Sequence, residues 1–102
     1  MRVVFVTVPP EQADRLAETV VQEKLAACAS LVGPVASRYW WKGRVETAQE
    51  TLIILKTSAE RAAALVERVR SLHPYEVPEI LCLDVAEAHP PYKAWVRESC
   101  RP

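Results

Sequence analysis

The chain has 102 residues, which is enough for one domain, residues 1–102, with a modest hydrophobic core. Half of its residues are hydrophobic, a quarter are charged, and 13 basic residues balance 13 acidic ones. Because nucleic acids and anionic membranes select proteins with excess Lys and Arg, this neutral balance argues against both kinds of partner.

The first third of the chain predicts a strand followed by a helix. Residues 3–8 (VVFVTV) are apolar on both faces, which is typical of a central strand. Pro10 suits the first turn of a helix, where its missing N–H costs nothing. Apolar residues then recur at helical spacing over 13–25, with polar residues on the other side.

The middle of the chain predicts a hairpin. Residues 28–41 have an extended pattern, which the Gly-Pro pair at 33–34 interrupts as a bulge or bend. The Lys-Gly pair at 42–43 predicts a tight turn. The return strand passes through residues 51–57 (TLIILKT), which are again apolar on both faces.

The last part predicts a second helix, a fourth strand and a tail helix. Thr57 and Glu60 have the spacing of a capping box at the start of the second helix. Pro74 ends that helix, since it lacks an N–H and forces His73 out of helical geometry. A strand, EILCLDV, and a C-terminal helix, PPYKAWVRESC, complete the chain.

This order of elements predicts an α+β fold, the ferredoxin-like split βαβ arrangement (βαββαβ) with an added C-terminal helix. Two helices cover one face of such a sheet, yet three strands are apolar on both faces. At about 25 cal/mol per Å² of apolar area, a wet face would forgo many kcal/mol. We therefore expect the second face to pack against other copies of the chain in a symmetric oligomer.

The cysteines and the start of the sequence bear on the compartment. Three cysteines form no close pair, so a disulfide framework is not expected and a cytoplasmic location is. The apolar start is too short for a secretory signal or a membrane span.

The segment SLHPYEVPEI, residues 71–80, has two interpretations. Two prolines could present His73, Tyr75 and a carboxylate from Glu76 or Glu79 as a rigid site. The same residues could equally be a helix stop and a strand start with polar side chains in solvent.

Other reactive residues also have two interpretations each. The thiols of Cys28, Cys82 and Cys100 are either buried small hydrophobes or isolated nucleophiles, and no spacing supports zinc or redox chemistry. Lys56 either lies in solvent or binds an anionic ligand in a cleft between subunits. His89 adds only a second, isolated imidazole.

The aromatic stretch YWWKGR suggests either base stacking or a protein interface. RNA-binding sheets of this topology carry stacking aromatics on the first and third strands, whereas Trp40 and Trp41 end the second. The neutral charge also disagrees with RNA binding. We therefore favour an interface and expect no nucleic-acid partner.

Several motifs in the same order resemble the divalent-cation tolerance family, the CutA proteins. They are VTVP, LAAC, YWWKG, LKT, HPYEVPEI and the late Tyr92 and Trp95. The resemblance implies a ferredoxin-like fold and a compact cytoplasmic homotrimer similar to PII signalling proteins, with ligands in clefts between subunits. It implies no catalytic activity, and it associates some members with copper.

The resemblance also implies a site. Copper-associated relatives carry a cysteine where this chain has Val6 and a histidine where it has Leu72, so only His73 remains as a metal ligand. We expect weak Cu²⁺ binding that His73→Ala reduces with little effect on folding. The candidate ligand cleft comprises Cys28, Trp41, Lys56, Tyr75 and Glu79.

The leading functional hypothesis is a trimeric, non-enzymatic protein of divalent-cation tolerance that requires no cofactor and binds copper or a small ligand weakly. The alternative is a PII-like signalling or scaffold trimer that binds an anionic metabolite or a protein at subunit clefts. A third hypothesis is an enzyme that uses His73 with Tyr75 or Lys56 as an acid–base pair.

Overall fold

The four strands form one antiparallel sheet in the order β2-β3-β1-β4. A computed structural model describes residues 1–102 and gives the following elements: β1 (Arg2–Val8), α1 (Pro10–Gln22), β2 (Cys28–Trp41), β3 (Arg44–Thr57), α2 (Ala62–Leu72), β4 (Ile80–Asp84) and α3 (Pro90–Ser99). The order of elements confirms the predicted α+β, ferredoxin-like fold with an added C-terminal helix. No helix of the structure combines the length and apolarity that a membrane span needs.

The core lies between the sheet and the first two helices. Alternate residues of the central strands point to the helices, so that Val4 pairs with Leu55 and Val6 with Ile53, all fully buried. Leu65 of α2 packs into the same cluster. Each such side chain stabilises the fold by about 1.5–3 kcal/mol, which makes this face the main source of stability.

The other sheet face is apolar and accessible. Phe5 of β1 lies between Ile54 of β3 and Leu81 of β4 in the register. Leu81 is 51% exposed and Leu83 is 43% exposed, whereas the helix-facing residues of β1 are fully buried. The helices therefore cover one apolar face of the sheet and leave the other uncovered, as the sequence predicts.

The hairpin of β2 and β3 extends beyond the rest of the sheet. β1 pairs with β3 only as far as Thr51, while the remaining part of β3, residues 44–50, pairs with β2 alone. At the tip, Lys42 and Gly43 have φ of 50° and 81°, the left-handed values that a two-residue hairpin turn requires. The tight turn is thus confirmed, and the register shift between β2 residues 32 and 35 confirms the predicted bulge.

The predicted capping box of α2 is wrong. Thr57 is still part of β3, fully buried, and its hydroxyl donates to the Leu25 carbonyl oxygen at 2.7 Å. The turn before α2 instead uses Ser58, whose Oγ accepts from the Arg61 N–H at 3.2 Å. The spacing of Thr57 and Glu60 gave a wrong prediction because β3 continues to Thr57. The Thr57 side chain therefore lies on the core face of the sheet.

Candidate functional site

A groove opens where the hairpin continues past the end of β1. Its walls are β2 residues 37–41 and the loop residues 74–77, and Thr7, Glu50 and Glu79 complete it. Its volume is about 740 Å³. The groove exists because β1 is half as long as β3. The loop after α2 therefore lies beside the part of the hairpin that has no β1 neighbour.

His73 fixes that loop to the end of β1. The helix ends at Leu72, and His73 takes an extended backbone conformation before Pro74. The imidazole is only 8% exposed. Its Nε2–H donates to the Thr7 carbonyl oxygen at 2.8 Å, and its Nδ1 accepts the Tyr75 N–H at 3.1 Å. Both ring nitrogens therefore have partners within the chain.

The residues present do not fit a metal centre within one chain. A metal ion on His73 would have to break one of its two hydrogen bonds, since ligation needs a free nitrogen lone pair. No three His, Cys, Asp or Glu side chains lie close enough together to share an ion. The prediction of a metal at His73 therefore has no support in this arrangement and stays a prediction.

Tyr75 and Glu50 form the polar centre of the groove. The Tyr75 hydroxyl donates to Glu50 Oε2 at 3.0 Å, and the two aromatic rings of His73 and Tyr75 lie 4.8 Å apart. Burial, followed by the hydrogen bond to Glu50 and its negative charge, raises the pKa of Tyr75 to about 12. The phenol is therefore a neutral donor at ordinary pH.

The sequence analysis did not single out Glu50, which in the structure lies at the polar centre of the groove. It lies in a polar stretch of β3, RVETAQE, where no hydrophobic period distinguishes one carboxylate from another. In the structure Glu50 is only 5% exposed, although glutamate is a charged residue type. Only the loop path, which brings Tyr75 onto the hairpin, makes Glu50 a groove residue.

Aromatic rings and carboxylates dominate the groove wall. Tyr39, Trp41 and Tyr75 are each about two-fifths exposed. The acidic side chains are those of Glu50, Glu76 and Glu79, and the basic one is that of Arg38.

The predicted ligand cleft is divided between two places. Trp41, Tyr75 and Glu79 line the groove, but Cys28 and Lys56 do not. Those two pair with each other at the far end of β3. Lys56 is six residues from Glu50 along the strand, or about 20 Å at the rise of an extended chain. Within one chain these residues therefore lie in a groove and in a separate cluster, and the cleft between subunits stays a prediction.

That separate cluster centres on Cys28 and Lys56. The Cys28 sulfur lies 3.5 Å from the Tyr92 hydroxyl oxygen. This hydrogen bond, with burial, raises the pKa of Tyr92 to about 12. Lys56 Nζ donates to Ser30 Oγ at 2.6 Å and has no carboxylate partner.

Comparison with known proteins identifies the family. Residues 2–99 match the family described as CutA1 divalent ion tolerance protein. The chain belongs to this family. The resemblance found in its motifs is thus confirmed over nearly the whole length.

Individual CutA proteins agree with the assignment. Divalent-cation tolerance protein CutA of Thermus thermophilus is 45% identical over 98 residues, covering 95% of each chain. Protein CutA of mouse is 45% identical over 95 residues, covering 92% of this chain but 54% of the mouse protein. The chain spans about half the length of the first curated relatives it matches.

Solved CutA structures share the fold. Divalent cation tolerance protein Cut A1 of Thermus thermophilus superposes with a TM-score of 0.91 at 44% identity, covering 97% of this chain and 98% of that one. The PII-like protein CutA of Nostoc gives 0.95 at 33% identity, covering 99% and 98%. These CutA relatives are named as tolerance or PII-like proteins, not as enzymes.

Proposed function

We propose that this chain is a cytoplasmic, homotrimeric protein of divalent-cation tolerance that binds a small ligand in the groove and catalyses no reaction. The observation that carries the proposal is the hydrogen bond between the buried Glu50 and the partly exposed Tyr75, since a few polar groups that converge in a groove are typical of a binding site. Membership of the CutA1 family supports the role in tolerance.

The groups suggested for acid–base catalysis are badly placed for it. Tyr75 keeps its proton at neutral pH because its pKa is raised to about 12. His73 uses both ring nitrogens for the backbone, and Lys56 lies at the other end of the strand. A general base must reach the proton it removes, so these three residues support binding rather than catalysis.

The apolar sheet face supports the trimer. Phe5, Ile54, Leu81 and Leu83 form a continuous apolar surface opposite the helices. On the hairpin arm, Trp40 is a further exposed aromatic. Surfaces of this kind are interfaces rather than solvent faces, because exposed contiguous apolar area is unfavourable in water.

One observation favours the PII-like alternative, in which the trimer binds an anionic metabolite. Lys56 emerges from the apolar face, and its ammonium group has Ser30 Oγ and a backbone oxygen as acceptors but no carboxylate. An anion between subunits would supply the missing negative charge.

Native mass spectrometry of the protein with Cu²⁺, Zn²⁺ and ATP tests the proposal. We expect a trimer that retains no tightly bound metal. A monomer, or one tightly bound Cu²⁺ per chain, would contradict the proposal, whereas weak Cu²⁺ adducts that His73→Ala reduces would agree with the metal predicted at His73. An ATP adduct that Lys56→Gln abolishes would select the alternative.

A further inference from the structure

The second carboxylate oxygen of Glu50 has no partner in the protein. Oε2 accepts from Tyr75, whereas Oε1 has no hydrogen bond to any protein group. The residue is 95% removed from solvent, but no fully buried side-chain oxygen or nitrogen lacks a partner. Oε1 is therefore not fully buried, and Glu50 lines the groove.

A nearly buried carboxylate with a free oxygen calls for a cationic donor. A ligand in the groove can donate to this accessible oxygen, and a charge-assisted hydrogen bond is stronger than a neutral one. Neighbouring carboxylates strengthen this preference, since Glu76 and Glu79 also line the groove, against one basic residue in the lining, Arg38, and the Lys42 ammonium group beside Trp41. The net charge of the lining is negative.

The aromatic side chains suit the same kind of ligand. Tyr39 and Trp41 lie two residues apart on β2, and both are partly exposed at the groove. Aromatic faces attract cations as well as apolar groups. The centroid of the Trp41 ring already lies 5.7 Å from the ammonium group of Lys42, a cation–π arrangement.

We propose that the groove binds a small organic cation whose ammonium group donates to Glu50 Oε1 and whose apolar body lies against Tyr39 and Trp41. This inference rests on the proposed small-ligand function and names the chemical class of the ligand. A bare metal ion is disfavoured, because no three metal-ligating side chains gather there. An anion would face the buried carboxylate.

Three probes of one shape distinguish these classes. Phenethylamine is a cation, 2-phenylethanol is neutral and phenylacetate is an anion, and in each the polar atom is the third atom from the phenyl ring. Calorimetry and tryptophan fluorescence of the assembled protein measure their affinities. We expect phenethylamine to bind at least about tenfold more tightly than the other two, because only it forms a charged hydrogen bond with Glu50.

A conservative variant locates the contact. Glu50→Gln keeps an acceptor for Tyr75 but removes the charge, so phenethylamine affinity should fall by about tenfold or more. Glu60→Gln is the matched control, since Glu60 is exposed and lies outside the groove, and it should bind as the wild type does. Circular dichroism verifies that both variants are folded.

Each contrary result has a distinct meaning. Equal or tighter binding of the alcohol or the anion would overturn the cation inference while leaving the groove as a ligand site. Unchanged phenethylamine affinity in Glu50→Gln would also overturn it. If none of the probes binds the wild type, both the inference and the proposed groove function fail.

Discussion

At the scale of single residues, His73 is a structural clamp. It joins the loop after α2 to the end of β1 through two backbone hydrogen bonds, and it is almost completely buried. The structure therefore replaces the expectation that His73→Ala has little effect on folding. Removing one partner leaves the Thr7 carbonyl group without its donor.

We predict that His73→Ala lowers the free energy of unfolding by about 1–3 kcal/mol, the usual cost of leaving buried polar groups unpaired. His89→Ala is the control, because His89 is exposed and makes no side-chain cap at α3. Urea denaturation at one fixed protein concentration measures both, since the stability of an oligomer depends on concentration. Equal stability of the two variants would rule out the clamp.

Tyr75 makes stability depend on alkaline pH. Its pKa is raised from 10.0 to about 12 in the folded chain, so the folded state keeps the phenol proton after the unfolded state has lost it. The contribution is therefore complete below pH 10 and is lost as the pH rises towards 12. Tyr92 acts in the same direction, because its pKa is also raised to about 12.

We expect the urea midpoint of the wild type to fall between pH 10 and about pH 12, and Tyr75→Phe to show a shallower fall. Tyr92→Phe should remove the part of the pH dependence that comes from Tyr92, and the double variant should remove the parts from both tyrosines. The pH dependence of the midpoint decides the matter. A slope in Tyr75→Phe as steep as in the wild type would show that Tyr75 does not carry this linkage.

At the scale of elements, the start of α2 depends on its approach turn. Ser58 is buried and its hydroxyl accepts from the Arg61 N–H, while Glu60 is exposed and makes no side-chain hydrogen bond. Ser58 lies in the turn before the helix rather than at its N-cap, and we expect its hydroxyl to contribute as much as a helix cap does, about 0.5–2 kcal/mol. The neighbouring carboxylate, outside any capping box, should contribute almost nothing.

Ser58→Ala should therefore reduce the free energy of unfolding by about 1 kcal/mol, and Glu60→Ala should leave it unchanged within about 0.5 kcal/mol. Thermal unfolding of both variants side by side provides the measurement. The opposite ranking would restore the capping box that the spacing of Thr57 and Glu60 suggested.

At the scale of the whole molecule, the proposed trimer places the apolar sheet face at the interface between chains. Leu83 lies on that face in β4, pairs with Val3 and is 43% exposed in the single chain. Packing copies of the chain on this face would bury it. A carboxylate there would be buried without a partner, which costs several kcal/mol at each equivalent interface.

Leu83→Asp should therefore shift the protein from trimer to monomer in sedimentation velocity at micromolar concentration. Ala64→Asp is a suitable control, because Ala64 is an exposed position on α2, on the other side of the sheet. The control should sediment as the wild type does. A Leu83→Asp trimer as stable as the wild type would mean that this face is not the interface.

The sequence by itself determined the elements and the fold class, and it predicted an oligomer. Two-sided apolar strands, the Lys-Gly turn at 42–43 and the helix stop at Pro74 are local features, and their energies come from neighbours in the chain. Local patterns also predicted the bulge at 33–34. Their failure at the start of α2 reflects a competition between strand and cap that only packing decides.

Only the tertiary structure decided the site. Glu50 meets Tyr75 across 25 residues, and His73 meets Thr7 across 66. These contacts depend on strand register and loop path, which no short-range pattern contains. Within one chain the same register separates Lys56 from Trp41, which the sequence predicts for one cleft between subunits. A long hairpin beside a short strand creates the groove. This difference in length brings the groove residues together only when the chain is folded.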